Sequence, residues 1–154
     1  MEKSKNFAKD LIDFIDSSYT AFHAVKNLED RLEDKGFTKL NQGDKWNLEK
    51  EGKYYITKNN SALIAFQIGK GEIEEDGFRL IGAHTDAPTF KIKPSPEMTV
   101  EGSYLKLNTE VYGGPILNTW FDRPLSLAGR VNLRTEDPFR PKEVLFNLEK
   151  PIMI

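Results

Sequence analysis

His84-Thr85-Asp86 is where residue type and spacing most directly suggest chemistry. Neutral imidazole ligates zinc through either ring nitrogen. In extended backbone, positions i and i+2 project to the same side, so Asp86 can lie beside the His84 ring. There a carboxylate accepts the N–H of the nitrogen not bound to metal, which fixes the tautomer and raises ligand basicity. The triplet follows Phe78-Arg79-Leu80-Ile81-Gly82-Ala83, an apolar run that predicts a buried strand over 78–83. Open α/β sheets place their sites at strand C-terminal ends, which is where His84 would then sit. The residues alone leave two readings open. One is a metal ligand with its orienting acid; the other is a surface histidine beside a turn aspartate, with Pro88 reinforcing the turn.

Other candidates carry less chemistry. His23 falls early in a helical segment and reads as a partly buried helix residue rather than a ligand. Asp122-Arg123 could form a salt bridge, an interface anchor or a substrate clamp, and a structural or interface role is favoured. Gly69, Gly71 and the Gly113-Gly114 pair lack the strand-to-helix setting of a phosphate loop, which argues against nucleotide binding. The acids from Glu72 to Asp76 read as a solvated loop. Ser17-Ser18 has no histidine partner placed by sequence and reads as a linker.

Composition narrows the class. The 154 residues suit one domain-sized core, and 38% hydrophobic with 30% charged residues is a globular composition. The net charge of −2 is spread along the chain, with no basic stripe for nucleic acid and no polybasic segment for a membrane surface. There is no cysteine, so disulfides and thiolate metal sites are excluded and a reducing compartment is suited. No apolar run approaches the roughly 20 residues that span a bilayer, and the first residues have no signal-peptide core. The expected location is cytoplasmic.

The elements that must position the triplet follow from periodicity. Phe7, Leu11, Phe14 and Ile15 recur at helical spacing, with Ser4 as the expected N-cap. After Ser17-Ser18-Tyr19, Thr20 caps a second helix with Phe22, Val25, Leu28 and Leu32 on its apolar stripe, ended by Lys35-Gly36. So short a connection makes the two helices neighbours. The polar stretch around Trp46 reads as a strand or extended loop. Lys53–Thr57 and Ala62–Ile68 predict a hairpin turning at Lys58-Asn59-Asn60, and the second strand is apolar enough to be buried on both faces. From Lys91 onward the texture is all β: the Pro94–Pro96 region, Tyr104–Leu107, a Gly113-Gly114-Pro115 turn, Ser126–Arg134 and Val144–Leu148, with no helix. Pro151–Ile154 resembles the start of another strand. The change of texture places a boundary near Lys91–Pro96.

Taken in order, several segments resemble the aspartyl aminopeptidase/aminopeptidase I family of dinuclear zinc exopeptidases. They are Ser18–Val25, Gly36-Phe37, Trp46-Asn47, Gly52–Asn59, Ala65-Phe66, Gly82-Ala83-His84-Thr85-Asp86-Ala87-Pro88, Lys91–Pro94, Tyr112-Gly113-Gly114, Thr119–Arg123 and Leu127–Val131. They cover essentially the whole chain. The resemblance implies an α/β catalytic domain, two helices plus a mixed sheet, carrying an inserted β-rich dimerisation domain. Here that gives residues 1–92 as the N-terminal part of the catalytic domain and 93–154 as part of the insertion.

The resemblance also implies roles. His84 is the metal ligand, Asp86 the catalytic-site carboxylate that orients it, and the Asp86–Ala87 peptide is expected to be cis. The cofactor is zinc, two ions in the parent enzyme. The substrate is a peptide with a free N-terminus, with acidic Asp or Glu the common specificity, and self-association runs through the β-rich segment. Three positions depart from the pattern: Ala87 where serine is usual, Pro115 after only two glycines, and Pro124 in place of an acid after Asp122-Arg123. They put fine geometry in question, not class. Family members are much longer, and a dinuclear site needs further carboxylates, a second histidine and a glutamate base. His23 does not match a ligand position. The expectation is therefore an N-terminal fragment, inactive alone. Two competing readings are a zinc hydrolase of glutamyl aminopeptidase type, against which Trp120–Arg123 argues, and a non-catalytic truncated paralogue serving as an oligomerisation or binding module.

Overall fold

A computed structural model describes residues 2–121 and 123–151. The chain opens with two antiparallel-capable helices, α1 (Glu2–Ser17) and α2 (Ala21–Asp34). Ser4 lies inside α1 and is not its cap, because Glu2 and Lys3 already adopt helix and place an acid in the first turn. Thr20 does cap α2: its backbone is extended and its hydroxyl faces the His23 N–H. At the other end Gly36 has φ of +78° and the Phe37 N–H returns to the Leu32 carbonyl at 2.9 Å. That is a Schellman ending, which requires a residue tolerant of the left-handed region. The helices are neighbours, as the short connection predicts. Arg31 of α2 forks onto the Asp10 carboxylate of α1 at 2.8 and 2.9 Å and lies 5.0 Å from the Phe14 ring centroid.

The first sheet has three strands in the order β1 (Thr38–Lys39), β2 (Lys53–Lys58), β3 (Ala62–Gln67). β1 runs parallel to β2, and β2 and β3 form the expected hairpin in register Lys53↔Gln67 to Lys58↔Ala62. Asn59 and Asn60 both have φ of +53° at its turn, a conformation that asparagine tolerates better than most residues. The strand covered on both faces is β2, not β3. Tyr55 is fully buried and its hydroxyl donates to Glu33 of α2 at 2.6 Å. Tyr54, on the opposite face, is buried under the 41–52 loop, where its oxygen accepts the Glu49 N–H at 3.0 Å. Trp46 lies in that loop and stacks on Phe66. β3 holds an edge of this sheet, and its Ile64 is exposed. Apolarity alone could not separate a central strand from an edge strand whose outer face lacks a neighbour.

The expected strand at 78–83 does not form. Phe78, Leu80 and Ile81 are exposed, Ile81 completely. An apolar run becomes a strand only where another strand supplies its hydrogen bonds, and none among the described residues pairs with this segment. Just before it, the acidic segment expected as a loop contains one helical turn, α3 (Ile73–Asp76), ended by Gly77 at φ of +63°.

Beyond this point the chain is β-rich. β4 (Thr89–Val100) pairs antiparallel with β5 (Tyr104–Tyr112). Between the Ile92↔Thr109 and Glu97↔Leu107 pairs the register slips, so Lys93–Pro96 oppose Asn108 alone. Pro94 and Pro96 fall in this bulge, where a missing N–H breaks no ladder bond. A 3-10 turn at Leu117–Thr119 is the one helical piece described in a region expected to have none. β6 (Ala128–Leu133) and β7 (Lys142–Asn147) form a third hairpin. It docks on the first layer: the Arg130 guanidinium sits 4.1 Å from the Phe22 ring centroid of α2 and donates to the Asn59 carbonyl at 3.0 Å. The strand expected from Pro151 falls largely on residues 152–154, outside the described residues.

Candidate metal centre

His84 and Asp86 stand in irregular backbone between β3 and β4, held by contacts on either side rather than by a strand of their own. The first anchor is Thr85. Its hydroxyl donates to the Ser61 carbonyl at the end of the β2–β3 turn, at 2.8 Å. The second is the root of the β4–β5 hairpin. Thr89 pairs with Tyr112 there, and a Cβ on Gly113 would come within 3.5 Å of Pro88. Gly113 also has φ of +73°, so glycine serves both the turn and the close approach.

The paired side chains face each other as the i, i+2 spacing predicts. His84 Nδ1 lies 3.3 Å from Asp86 Oδ1, a long hydrogen bond. With Nδ1 turned to the carboxylate, Nε2 is the nitrogen left to bind metal. The ring is 93% exposed, so nothing described blocks that approach. Asp86 has a second partner that sequence reading missed: the Tyr112 hydroxyl donates to Oδ2 at 2.7 Å. This bond first, and the His84 contact second, hold the Asp86 carboxyl below the usual carboxylate range, while the same carboxylate raises the Tyr112 phenol. The only sequence hint was that Tyr112 precedes the Gly113-Gly114 turn. Its pairing with Thr89 is a matter of strand register, which a one-residue slip would destroy.

The Asp86–Ala87 peptide is trans, contrary to the expectation of a cis bond. Trans is the favoured form for a peptide not followed by proline. His23 is apart from this centre. Its ring is half-buried, meets Tyr19 edge-on at 5.4 Å between centroids, and lies 2.8 Å from Thr20 Oγ1 through Nδ1. Burial lowers its pKa, as for a helix residue inside packing. Arg123 donates to the Thr119 carbonyl at 3.1 Å, and Trp120 packs edge-on against Phe90 of β4. Asp122 lies outside the described residues, so no role for the Asp122-Arg123 pair follows from geometry.

The donor set fits one position of a zinc site. Imidazole is a proper zinc donor and the carboxylate at its other nitrogen is a proper support. Among the described residues, no group of three or more His, Asp or Glu side chains converges to hold a metal ion. A cleft of about 480 Å³ between α2, β1 and β7 does not include the pair. Its lysines are already matched, Lys26 with Asp30 and Lys39 with Glu29. Among the described residues no helix is long and apolar enough to cross a membrane.

Comparison with known proteins agrees with this chemistry. Residues 14–154 match the sequence profile of the aminopeptidase I zinc metalloproteases, M18. A probable M18 family aminopeptidase 2 of Clostridium novyi is 60% identical over all 154 residues, which span 36% of that relative. A cryo-EM structure of the Ape4 and Nbr1 complex superposes with a TM-score of 0.90 at 40% identity, over 97% of this chain and 28% of the other. The mApe1 dodecamer of S. cerevisiae gives 0.85 at 29% identity, over 96% and 34%. The chain thus spans about a third of the length of the curated relatives it matches. With the family profile covering all but its first 13 residues, the chain belongs to the M18 family of aminopeptidase I zinc metalloproteases.

Proposed function

We propose that this chain carries the His84 part of a zinc-dependent aminopeptidase that removes N-terminal residues, acidic ones by preference, from peptides. The observation that carries the reading is the His84–Asp86 pair, whose Nδ1 faces a carboxylate and whose Nε2 is left open, in a chain of this family. His84 is the metal ligand and Asp86 the carboxylate that sets its tautomer. Bound zinc, two ions in the complete enzyme, supplies polarisation of the scissile carbonyl and water activation near neutral pH. The remaining ligands and the glutamate base lie outside this chain. That is supported by the chain's coverage of about a third of its relatives and by its having two histidines, one of them committed to packing in α2.

In this reading residues 1–92 belong to the catalytic domain and 93–154 to an inserted β-rich dimerisation domain. The β-rich character of the chain from Thr89 onward supports a change of part in this region, with β4 (Thr89–Val100) running across the 92/93 boundary. Self-association through the β-rich part is supported by the dodecameric state named for the S. cerevisiae relative. Exposed Leu105, Leu107 and Val111 on β5 are the kind of surface such contacts cover. The cysteine-free composition suits a cytoplasmic setting.

The test is release of the first residue from an aspartyl peptide by the purified chain in zinc. No release is expected. Cleavage that disappears in His84→Ala would show that this chain completes a site by itself and would overturn the proposed division of labour. A stable dimer that binds no zinc would instead favour the non-catalytic oligomerisation module.

A further inference from the structure

We propose that Tyr112 is a positioning residue for the His84–Asp86 pair: its phenol pins one carboxylate oxygen so that the other faces the imidazole. The inference rests on the reading of His84 as a zinc ligand. Its basis is a hydrogen-bond chain of three side chains drawn from two separate parts of the fold. Tyr112 donates to Asp86 Oδ2 at 2.7 Å, and Asp86 Oδ1 lies 3.3 Å from His84 Nδ1. The direction of the first bond is fixed, since an ionised carboxylate only accepts. Its length is that of a charge-assisted bond, whereas the second is long. A half-exposed carboxylate held only by the second contact would turn freely in water. The shorter bond is the one that stops it.

The tyrosine is itself held in place. It is the last residue of β5 and pairs across the ladder with Thr89, three positions after Asp86. Pro88 and Gly113 close the same hairpin root at near van der Waals distance. Donor and acceptor therefore lie 26 residues apart in sequence but meet at the root of one hairpin. A fixed Asp86 Oδ1 favours the neutral tautomer with its proton on Nδ1, which presents the Nε2 lone pair to metal. The β4–β5 hairpin thereby sets the orientation of a ligand that lies outside it.

The experiment is nuclear magnetic resonance on the isotope-labelled chain. The tautomer is read from the His84 ring nitrogens; zinc affinity is read from a titration followed at the His84 ring and at backbone amides 83–87, the amides alone serving for His84→Ala. His84→Ala establishes where zinc binds. Tyr112→Phe is expected to weaken zinc at His84 by about tenfold, the lower end for loss of a supporting hydrogen bond. It is also expected to move the ring toward the Nε2–H tautomer. Asp86→Asn should do the same, and the double variant should lose no more than Asp86→Asn alone. A phenylalanine bearing an amino group in place of the hydroxyl at position 112 restores a donor and should restore both readouts. The Thr89–Tyr112 cross-strand contact reports hairpin integrity in each variant.

Unchanged tautomer and affinity in Tyr112→Phe, with both altered in Asp86→Asn, would overturn the role of Tyr112 and leave the zinc reading intact. Failure of the amino-bearing ring to restore them, with the hairpin formed, would also overturn it. Zinc binding unaffected by His84→Ala would remove the zinc reading and the role of Tyr112 with it.

Discussion

Removing one oxygen atom from Tyr55 tests how α2 is held to the first sheet. Tyr55 is fully buried in β2, and its hydroxyl donates to Glu33 of α2 at 2.6 Å. Tyr55→Phe keeps the ring and its apolar burial, so the change isolates the hydrogen bond between sheet and helix. A bond to a charged group contributes about 1.5–3 kcal/mol. Glu33 is exposed and regains water when the partner goes, which places the expected loss near the lower end, about 1.5 kcal/mol. Glu33→Ala leaves the buried hydroxyl without a partner and should cost about as much. The double variant should be little worse than either single one, because both remove the same bond.

The pH dependence has a definite sign. Burial first, and the Glu33 bond second, raise the Tyr55 pKa above its ordinary value. A raised folded pKa means that the stabilisation is complete below the unfolded value, about 10 for tyrosine, and is lost as pH rises beyond it. The difference between the native chain and Tyr55→Phe should therefore shrink above about pH 10. Urea unfolding of the four chains, at neutral and alkaline pH, supplies all the quantities. Strict additivity of the two single losses, or a Tyr55→Phe loss below about 0.3 kcal/mol, would refute the assignment of this bond as the α2–β2 tie.

Two further outcomes follow from the same layer. Val25 is fully buried in α2, and Val25→Ala removes two methyl groups from packed surroundings, an expected loss of about 2 kcal/mol in urea unfolding; a loss near zero would mean that α2 is not packed there. Burial lowers the His23 pKa, so its stabilisation is present above the unfolded value near 6.5 and is lost as pH falls through the lower folded value. The native chain should lose stability between neutral and mildly acidic pH, and His23→Gln should lose less; equal losses would contradict the buried setting of the ring.

Local chemistry was the legible part of this sequence. Thr20, Gly36 and the Asn59-Asn60 turn act through their own backbone, and each is where its residue type predicts. The α2 stripe and the β2–β3 hairpin follow from periodicity, with caps and turns marking their ends. What failed depended on partners distant in sequence. Phe78–Ala83 has strand composition but, among the described residues, no strand beside it. Ala62–Gln67 is apolar on both faces yet takes an edge, while Tyr54 and Tyr55 of the adjacent strand carry the burial. At the candidate site, spacing alone brings His84 and Asp86 together. Tyr112 and Ser61 reach them only through tertiary structure, so no local pattern announced either.

Whether His84 is a zinc ligand is read from the zinc-edge X-ray absorption spectrum of the zinc-loaded chain. A shell with one imidazole nitrogen at about 2.0–2.1 Å and oxygen elsewhere is expected, losing its nitrogen in His84→Ala and keeping it in His23→Gln. A shell with two imidazoles, or one unchanged by His84→Ala, would contradict that role.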